Sequence, residues 1–195
     1  MLDWLTGDGG SGGGPGGGRG ESGRVAVRLA DHTDSELVAR FIEGLLRQRG
    51  LAAPADRAEI ARRFRLNTSA PGREPGVGSS ATVEAFLAFV RDQPAGMILF
   101  YTSFNAATCR SGLFVEDLYV RDTMRGKGVG RALFEGLAAL AEDRQCGHIF
   151  FVVESDKERA LDQYHRMGAV PISNRTILSF SGPALQTLAD SARQR

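Results

Sequence analysis

The sequence predicts a mixed α/β (α+β) domain, in which a mostly antiparallel central sheet carries helices on its faces. Three observations predict it. An alternating run, Val25-Ala26-Val27-Arg28-Leu29, is followed by two segments of helical period. Three more apolar runs separated by short turns then read as consecutive antiparallel strands. The second half alternates helix and strand around a glycine-rich loop at Arg125–Gly130.

Each element has its own signal. Val25–Leu29 alternates and reads as the first strand. Thr33-Asp34-Ser35-Glu36 is a capping box, a hydroxyl followed three residues on by a carboxylate. It opens a helix whose Val38, Phe41, Ile42, Leu45 and Leu46 fall on one face. A second helix is expected over Ala55–Phe64, then a Gly, Pro and Ser-rich loop over Asn67–Ser80. Ala81–Val90 and Ala95–Phe104 read as a hairpin turning at Arg91-Asp92-Gln93-Pro94, and Leu113–Val120 as the next strand. Leu133, Leu137, Leu140 and Ala141 mark a helix over Val129–Asp143. His148–Glu154 reads as a fully buried strand. Lys157–Met167 reads as a helix capped by Gly168, and Ala169–Phe180 as a last strand or two.

Bulk properties narrow the function class. The 195 residues suffice for one domain with a core. Lys plus Arg number 24 and Asp plus Glu 23, a net charge of +1, so no strong field draws the chain to nucleic acid or an anionic membrane. No apolar run approaches the roughly 18 residues of a membrane span. The N-terminus lacks the basic and apolar regions of a signal peptide, which with two cysteines predicts a cytoplasmic protein. Cys109 and Cys146 lack metal-ligand spacing and read as free thiols, so no metal is expected. Residues 1–23 are dominated by glycine and are expected to be a disordered tail. The domain is expected over 24–182, and a C-terminal tail or short helix over 183–195.

The chemistry concentrates at Arg125-Gly126-Lys127-Gly128-Val129-Gly130. This loop follows a strand and opens a helix, where unpaired N–H groups and the helix dipole favour an anion. Glycines let the backbone approach closely. Arg125, Lys127 and Arg131 add charge, so the loop reads as a phosphate or pyrophosphate cradle. It lacks the Gly-x-x-x-x-Gly-Lys-Ser/Thr spacing of a P-loop. Its Gly-x-Gly-x-Gly spacing also departs from the dinucleotide fingerprint, although Glu154 ends the next strand where a ribose-binding acid would sit.

At these residues the sequence resembles the GCN5-related N-acetyltransferase (GNAT) superfamily, whose cofactor motif is Arg/Gln-x-x-Gly-x-Gly/Ala. The order of elements from Arg24 to Phe180 fits that family's fold. Within it the chain looks most like the diamine (spermidine/spermine) and thialysine acetyltransferases. Three stretches carry this: Val115-Glu116-Asp117-Leu118-Tyr119-Val120, the loop itself, and Gln163-Tyr164-His165-Arg166-Met167-Gly168-Ala169. The diamine group has asparagine where this chain has Lys157, and an aromatic where it has Gln163.

The resemblance implies acetyl-CoA as cofactor and a small-molecule amine as acceptor, polyamine or amino-acid-like, acetylated by direct attack in a ternary complex. Backbone groups of Leu118, Tyr119 and Val120 would bond the pantetheine arm. Amides from Gly126 through Gly128, Val129 and Gly130 to Arg131 would hold the pyrophosphate, with Lys157 at a further cofactor position. Tyr164 would protonate the departing thiolate, and Glu116 would bind the amine or take its proton through water. Many such proteins pair as homodimers. Taken alone, Tyr164 is also an ordinary amphipathic core residue, and Glu116 an edge carboxylate paired with an arginine. His32, His148 and His165 are expected to be structural. Rival readings are an inactive acyl-CoA sensor or interaction domain, a protein-lysine acetyltransferase, and transfer of a longer acyl chain.

Overall fold

The computed structural model describes residues 24–66, 83–172 and 176–193; the tail expected at 1–23 and the loop expected at Asn67–Ser80 lie outside the described residues. The chain divides into two compact units between Val152 and Val153.

The first unit is built on a five-stranded sheet in the order β1-β2-β3-β4-β5. The strands are β1 (Val25–Leu29), β2 (Glu84–Val90), β3 (Gln93–Asn105), β4 (Arg110–Val120) and β5 (Ile149–Phe151). The first four pair antiparallel and β5 joins β4 in parallel. Helices α1 (Ser35–Gln48) and α2 (Arg57–Leu66) cover one face. There Val38, Phe41 and Phe64 pack on Ala85, Leu87, Met97 and Leu99. Alternation sends the intervening Phe86 to the other face, where it stacks on Phe100 at 5.8 Å. Helix α3 (Val129–Asp143) covers that face, and a Cβ on its Gly136 would lie 3.2 Å from Val27.

The entry to α1 differs from the expected box. The reciprocal cap runs from Asp31 to Asp34: the Asp31 carboxylate accepts from the Thr33 N–H at 2.7 Å, and that of Asp34 from the Asp31 N–H at 2.9 Å. A 3-10 turn, His32–Asp34, therefore precedes α1. Asp34 wins this role because Arg28 also grips both its oxygens, at 2.7 and 2.8 Å.

The hairpin turn is tighter than expected. Arg91 and Asp92 both lie at positive φ, 50° and 61°, and Val90 pairs directly with Gln93. Such a two-residue turn matches the strand twist. Pro94 thus lies within β3, where the register shift opposite Ala88 and Phe89 accommodates its missing N–H.

β5 was expected to be a fully buried strand over His148–Glu154. It spans only Ile149–Phe151, all half-buried, with Val152 57% exposed. Among the described residues its strand neighbour is β4 alone.

The second unit holds α4 (Glu158–Arg166) and α5 (Gly182–Arg193). The Gly168 cap is as expected: φ is 93°, the Ala169 N–H reaches the Tyr164 carbonyl at 3.0 Å, and the Gly168 N–H reaches that of His165 at 2.9 Å. The strands expected over Ala169–Phe180 are absent from the described residues there, where Val170, Ile177 and Leu178 are exposed. A strand needs a ladder, and the described residues of this unit contain no other strand to supply one. No helix among the described residues is long and apolar enough to cross a membrane.

Candidate active site

β4 is paired unequally with its two neighbours. Toward β3 it is matched throughout, from Asn105↔Arg110 to Gly96↔Val120. Toward β5 only Leu113, Phe114 and Val115 are covered. Beyond Val115 that edge of β4 has no strand beside it among the described residues. The change falls on a bulge. Partners step from Val115↔Phe100 to Asp117↔Leu99, which leaves Glu116 as the extra residue. Bulges bend a strand and sharpen its twist, and the ladder to β5 ends at this point.

The open edge offers a defined set of backbone groups. Arg121 donates its N–H to the Ala95 carbonyl at 3.0 Å. Alternation then directs the backbone of Tyr119 and Asp117 to β3, and that of Leu118 and Val120 to the open edge. Of the three residues expected to bond an extended ligand, Tyr119 therefore has its N–H committed to β3. The Val120 carbonyl accepts from the Gln48 amide at 3.3 Å. The Tyr119 ring packs on α1 instead, 5.6 Å from Phe41, and a Cβ on Gly44 would overlap its phenol.

A 3-10 turn, Asp122–Met124, leads from β4 into the glycine loop. Gly126 and Gly128 adopt φ of 75° and 80°, conformations that suit glycine. Gly128 is the N-cap of α3, with no side-chain cap and no acid in the first turn. Its carbonyl accepts the N–H of Ala132 at 2.9 Å. The amides of Val129, Gly130 and Arg131 therefore precede the helical ladder and point out of the helix end. Gly130 is informative. A Cβ there would meet only Leu118 at 3.8 Å and Val120 at 4.0 Å, both ordinary contacts, and its φ is not positive. Neither packing nor conformation demands glycine at this position. A group seated between α3 and the β4 edge would, because a side chain would occupy that space. The loop and edge thus fit a pyrophosphate continued by an extended amide-bearing arm.

Two of the loop's three cations already hold carboxylates. Arg125 pairs with Asp122 at 2.9 Å, and Arg131 with Glu135 at 2.7 Å. Among the described residues the Lys127 ammonium contacts the Met124 sulfur, at 3.6 Å. What the loop offers an anion is therefore chiefly backbone N–H groups.

Beside the bulge lie two acids of different condition. Asp117 is held by Arg49 at 2.6 Å. Glu116 is exposed and makes no ion pair among the described residues. Its negative charge is felt by Tyr101, whose phenol is pushed up by burial first and by Glu116 second. Tyr101, Gln48 and Arg49 escaped the sequence reading. The last two act across more than sixty intervening residues and carry no local signal. Tyr101 was legible only as an alternating strand residue.

The remaining predicted residues belong to the second unit. Tyr164 lies on α4, half-buried, and desolvation raises the pKa of its phenol. Lys157 is the N-cap of α4, and its ammonium pairs with Glu154 at 3.3 Å and Asp156 at 3.7 Å.

The chain is similar to known proteins in sequence and in fold. The model of the acetyltransferase (GNAT) family matches residues 60–169. A thialysine N-epsilon-acetyltransferase of Caenorhabditis elegans is 31% identical over 111 residues, covering 55% of this chain and 69% of its own. That of Bos taurus is 25% identical over 176 residues, covering 85% and 97%. An L-ornithine N5-acetyltransferase of Arabidopsis thaliana is 28% identical over 94 residues, and the chain spans only 41% of its length. Among solved structures, an integron cassette protein from the mobile metagenome of V. cholerae matches with a TM-score of 0.69 at 25% identity, covering 85% of this chain and 97% of its own. A ribosomal-protein-alanine N-acetyltransferase of Brucella melitensis matches the fold with a TM-score of 0.64 at 20% identity, covering 81% and 100%.

Proposed function

We propose that this chain, which belongs to the acetyltransferase (GNAT) family, transfers an acetyl group from acetyl-CoA to a primary amine of a small molecule by direct attack in a ternary complex. The observation that carries the reading is the joining of two features: a strand edge left unpaired beyond Val115, and an uncapped helix start at Gly128–Arg131 facing it. The amine-acetylating relatives support the class of acceptor.

In this reading the amides of residues 126–131 hold the pyrophosphate, and the backbone of Leu118 and Val120 holds the pantetheine arm like an added strand. Lys157 is assigned to the same cofactor. When bound, acetyl-CoA supplies the acetyl group as a thioester. Glu116 takes the proton that an ammonium of pKa near ~10.4 must lose before its nitrogen can attack. It has no competing cation among the described residues and stands in solvent, so it can pass that proton on. Tyr164 returns a proton to the departing sulfur. Its burial favours the neutral phenol, so the proton is present at neutral pH. The exposed apolar side chains of Val170, Ile177, Leu178 and Phe180 support a homodimer, which sedimentation tests.

The deciding experiment pairs binding with turnover. Acetyl-CoA should raise the melting temperature, and thiol release should require an added amine. Tyr164→Phe should lower kcat by about 10²-fold or more, with acetyl-CoA affinity nearly unchanged. Full turnover by that variant removes Tyr164 from the mechanism.

A further inference from the structure

The α1, α2 and β3 face of the first unit holds an open cleft of about 280 Å³. Among the described residues, Ile42, Ala55, Ile60, Phe64, Val83 and Leu99 line it, and Arg63 is the charged side chain in its wall. Arg63 donates to the Glu59 carboxylate at 2.7 Å. Among the described residues the walls of the cleft are therefore apolar apart from one arginine.

Leu99 connects the cleft to the bulge. Tyr101 follows it on the same face of β3, one two-residue repeat or roughly 6–7 Å along the strand. The Tyr101 ring stacks on Phe114 of β4, with centroids 5.2 Å apart and an interplanar angle of 22°. Two residues beyond Phe114 comes Glu116, the bulge residue, which lacks any counter-cation among the described residues while Asp117 beside it is neutralised by Arg49. An unneutralised carboxylate next to an aromatic pair suits an alkylammonium, which gains a Coulombic partner and a π-face together. A second cation on the same molecule, carried into the cleft, would lose its hydration among apolar walls and meet Arg63.

We propose that the acceptor is a monoamine with an apolar body, its ammonium held between the Tyr101–Phe114 ring pair and Glu116 and its body in the cleft lined by Ile42, Ile60, Phe64 and Leu99. This rests on the acetyl-transfer reading and selects among its acceptors against polyamines. Each methylene buried in the cleft strengthens the productive complex roughly fourfold.

The test uses a matched pair, hexylamine and 1,6-diaminohexane, which differ only in the second ammonium. With the full chain and saturating acetyl-CoA, kcat/KM for hexylamine should exceed that for the diamine by about tenfold or more. Ala55→Glu, which places a carboxylate in the cleft wall, should narrow or reverse that ratio. Phe114→Leu keeps apolar bulk but removes the ring, and should raise KM for hexylamine roughly three- to fivefold while leaving kcat and acetyl-CoA affinity in place. Equal or better use of the diamine by the natural chain overturns the proposal, as does an unchanged ratio in a folded Ala55→Glu protein. If neither amine is turned over, calorimetry on the CoA-saturated chain decides this proposal apart from the acetyl-transfer reading. Selective binding of hexylammonium sustains the cleft assignment, and equal or absent binding of the two amines ends it.

Discussion

Gly130→Ala separates the demands of the fold from the demands of the ligand. The glycine is the second residue of α3, where alanine is intrinsically favoured by up to about 1 kcal/mol. The new Cβ would touch Leu118 at 3.8 Å and Val120 at 4.0 Å, within ordinary van der Waals range, so no packing cost offsets the gain. Without ligand the variant should melt about 2–4 °C higher. With ligand the sign reverses. The same methyl stands between the first turn of α3 and the open edge of β4, the space assigned to the cofactor. Loss of about tenfold or more in acetyl-CoA affinity is expected, near 1.4 kcal/mol. Differential scanning fluorimetry with and without acetyl-CoA reads both effects in one titration. Gly128→Ala is the control. Its φ of 80° makes any side chain there strained by roughly 1–2 kcal/mol, so that variant should lose both stability and binding. A Gly130→Ala protein that binds acetyl-CoA like the natural chain would refute the placement of the cofactor between these elements.

Two further substitutions test the framework that positions the site. Asp34→Asn removes a doubly gripped, 8% exposed carboxylate and should cost about 1–2 kcal/mol at neutral pH, with Arg28 half in solvent limiting the loss. Arg28 holds the Asp34 pKa below its ordinary value, so this stability is full above about pH 4 and disappears as pH falls through the lowered value; the gap in melting temperature between the two proteins should close there. Gly44→Ala forces a Cβ into the Tyr119 ring and should destabilise by about 1–3 kcal/mol, seen as a lower midpoint in urea, with a loss of turnover because Tyr119 is flanked by Leu118 and Val120.

The sequence made the helices and the glycine loop legible because their signals are local. Val129–Asp143 repeats its apolar residues at helical period, and the structure places α3 over the same residues. The Gly168 cap was equally readable, since a left-handed residue after a helix leaves a local mark. Strand features that depend on a partner were not. Nothing in Val115-Glu116-Asp117 says that Glu116 is a bulge, because a bulge is defined only by the register against β3. The apolar run His148–Glu154 resembles a buried strand, yet its burial depends on neighbours, and only Leu113–Val115 pair with it. The capping box slipped by two residues because Arg28, from another element, decided which acid would serve. Asp117 and Glu116 look alike in sequence, and the distant Arg49 makes them different.

The same logic bears on how the loop would hold an anion. In sequence, Arg125, Lys127 and Arg131 make it look like a charge trap. In the structure Arg125 and Arg131 already hold carboxylates, at 2.9 and 2.7 Å, in exposed pairs of the kind worth at most about 0.5 kcal/mol. Their side chains can exchange a carboxylate for a phosphate at little cost and with little gain. The amides of Val129, Gly130 and Arg131 have no such competitor in the helix, and the dipole of α3 stands behind them. Arg131→Ala should therefore weaken acetyl-CoA binding only about two- to threefold, an effect that fades with added salt. Gly130→Ala should keep its larger penalty at any ionic strength, because the obstruction is steric. Equal penalties with equal salt dependence would mean that charge, and not the backbone, holds the anion.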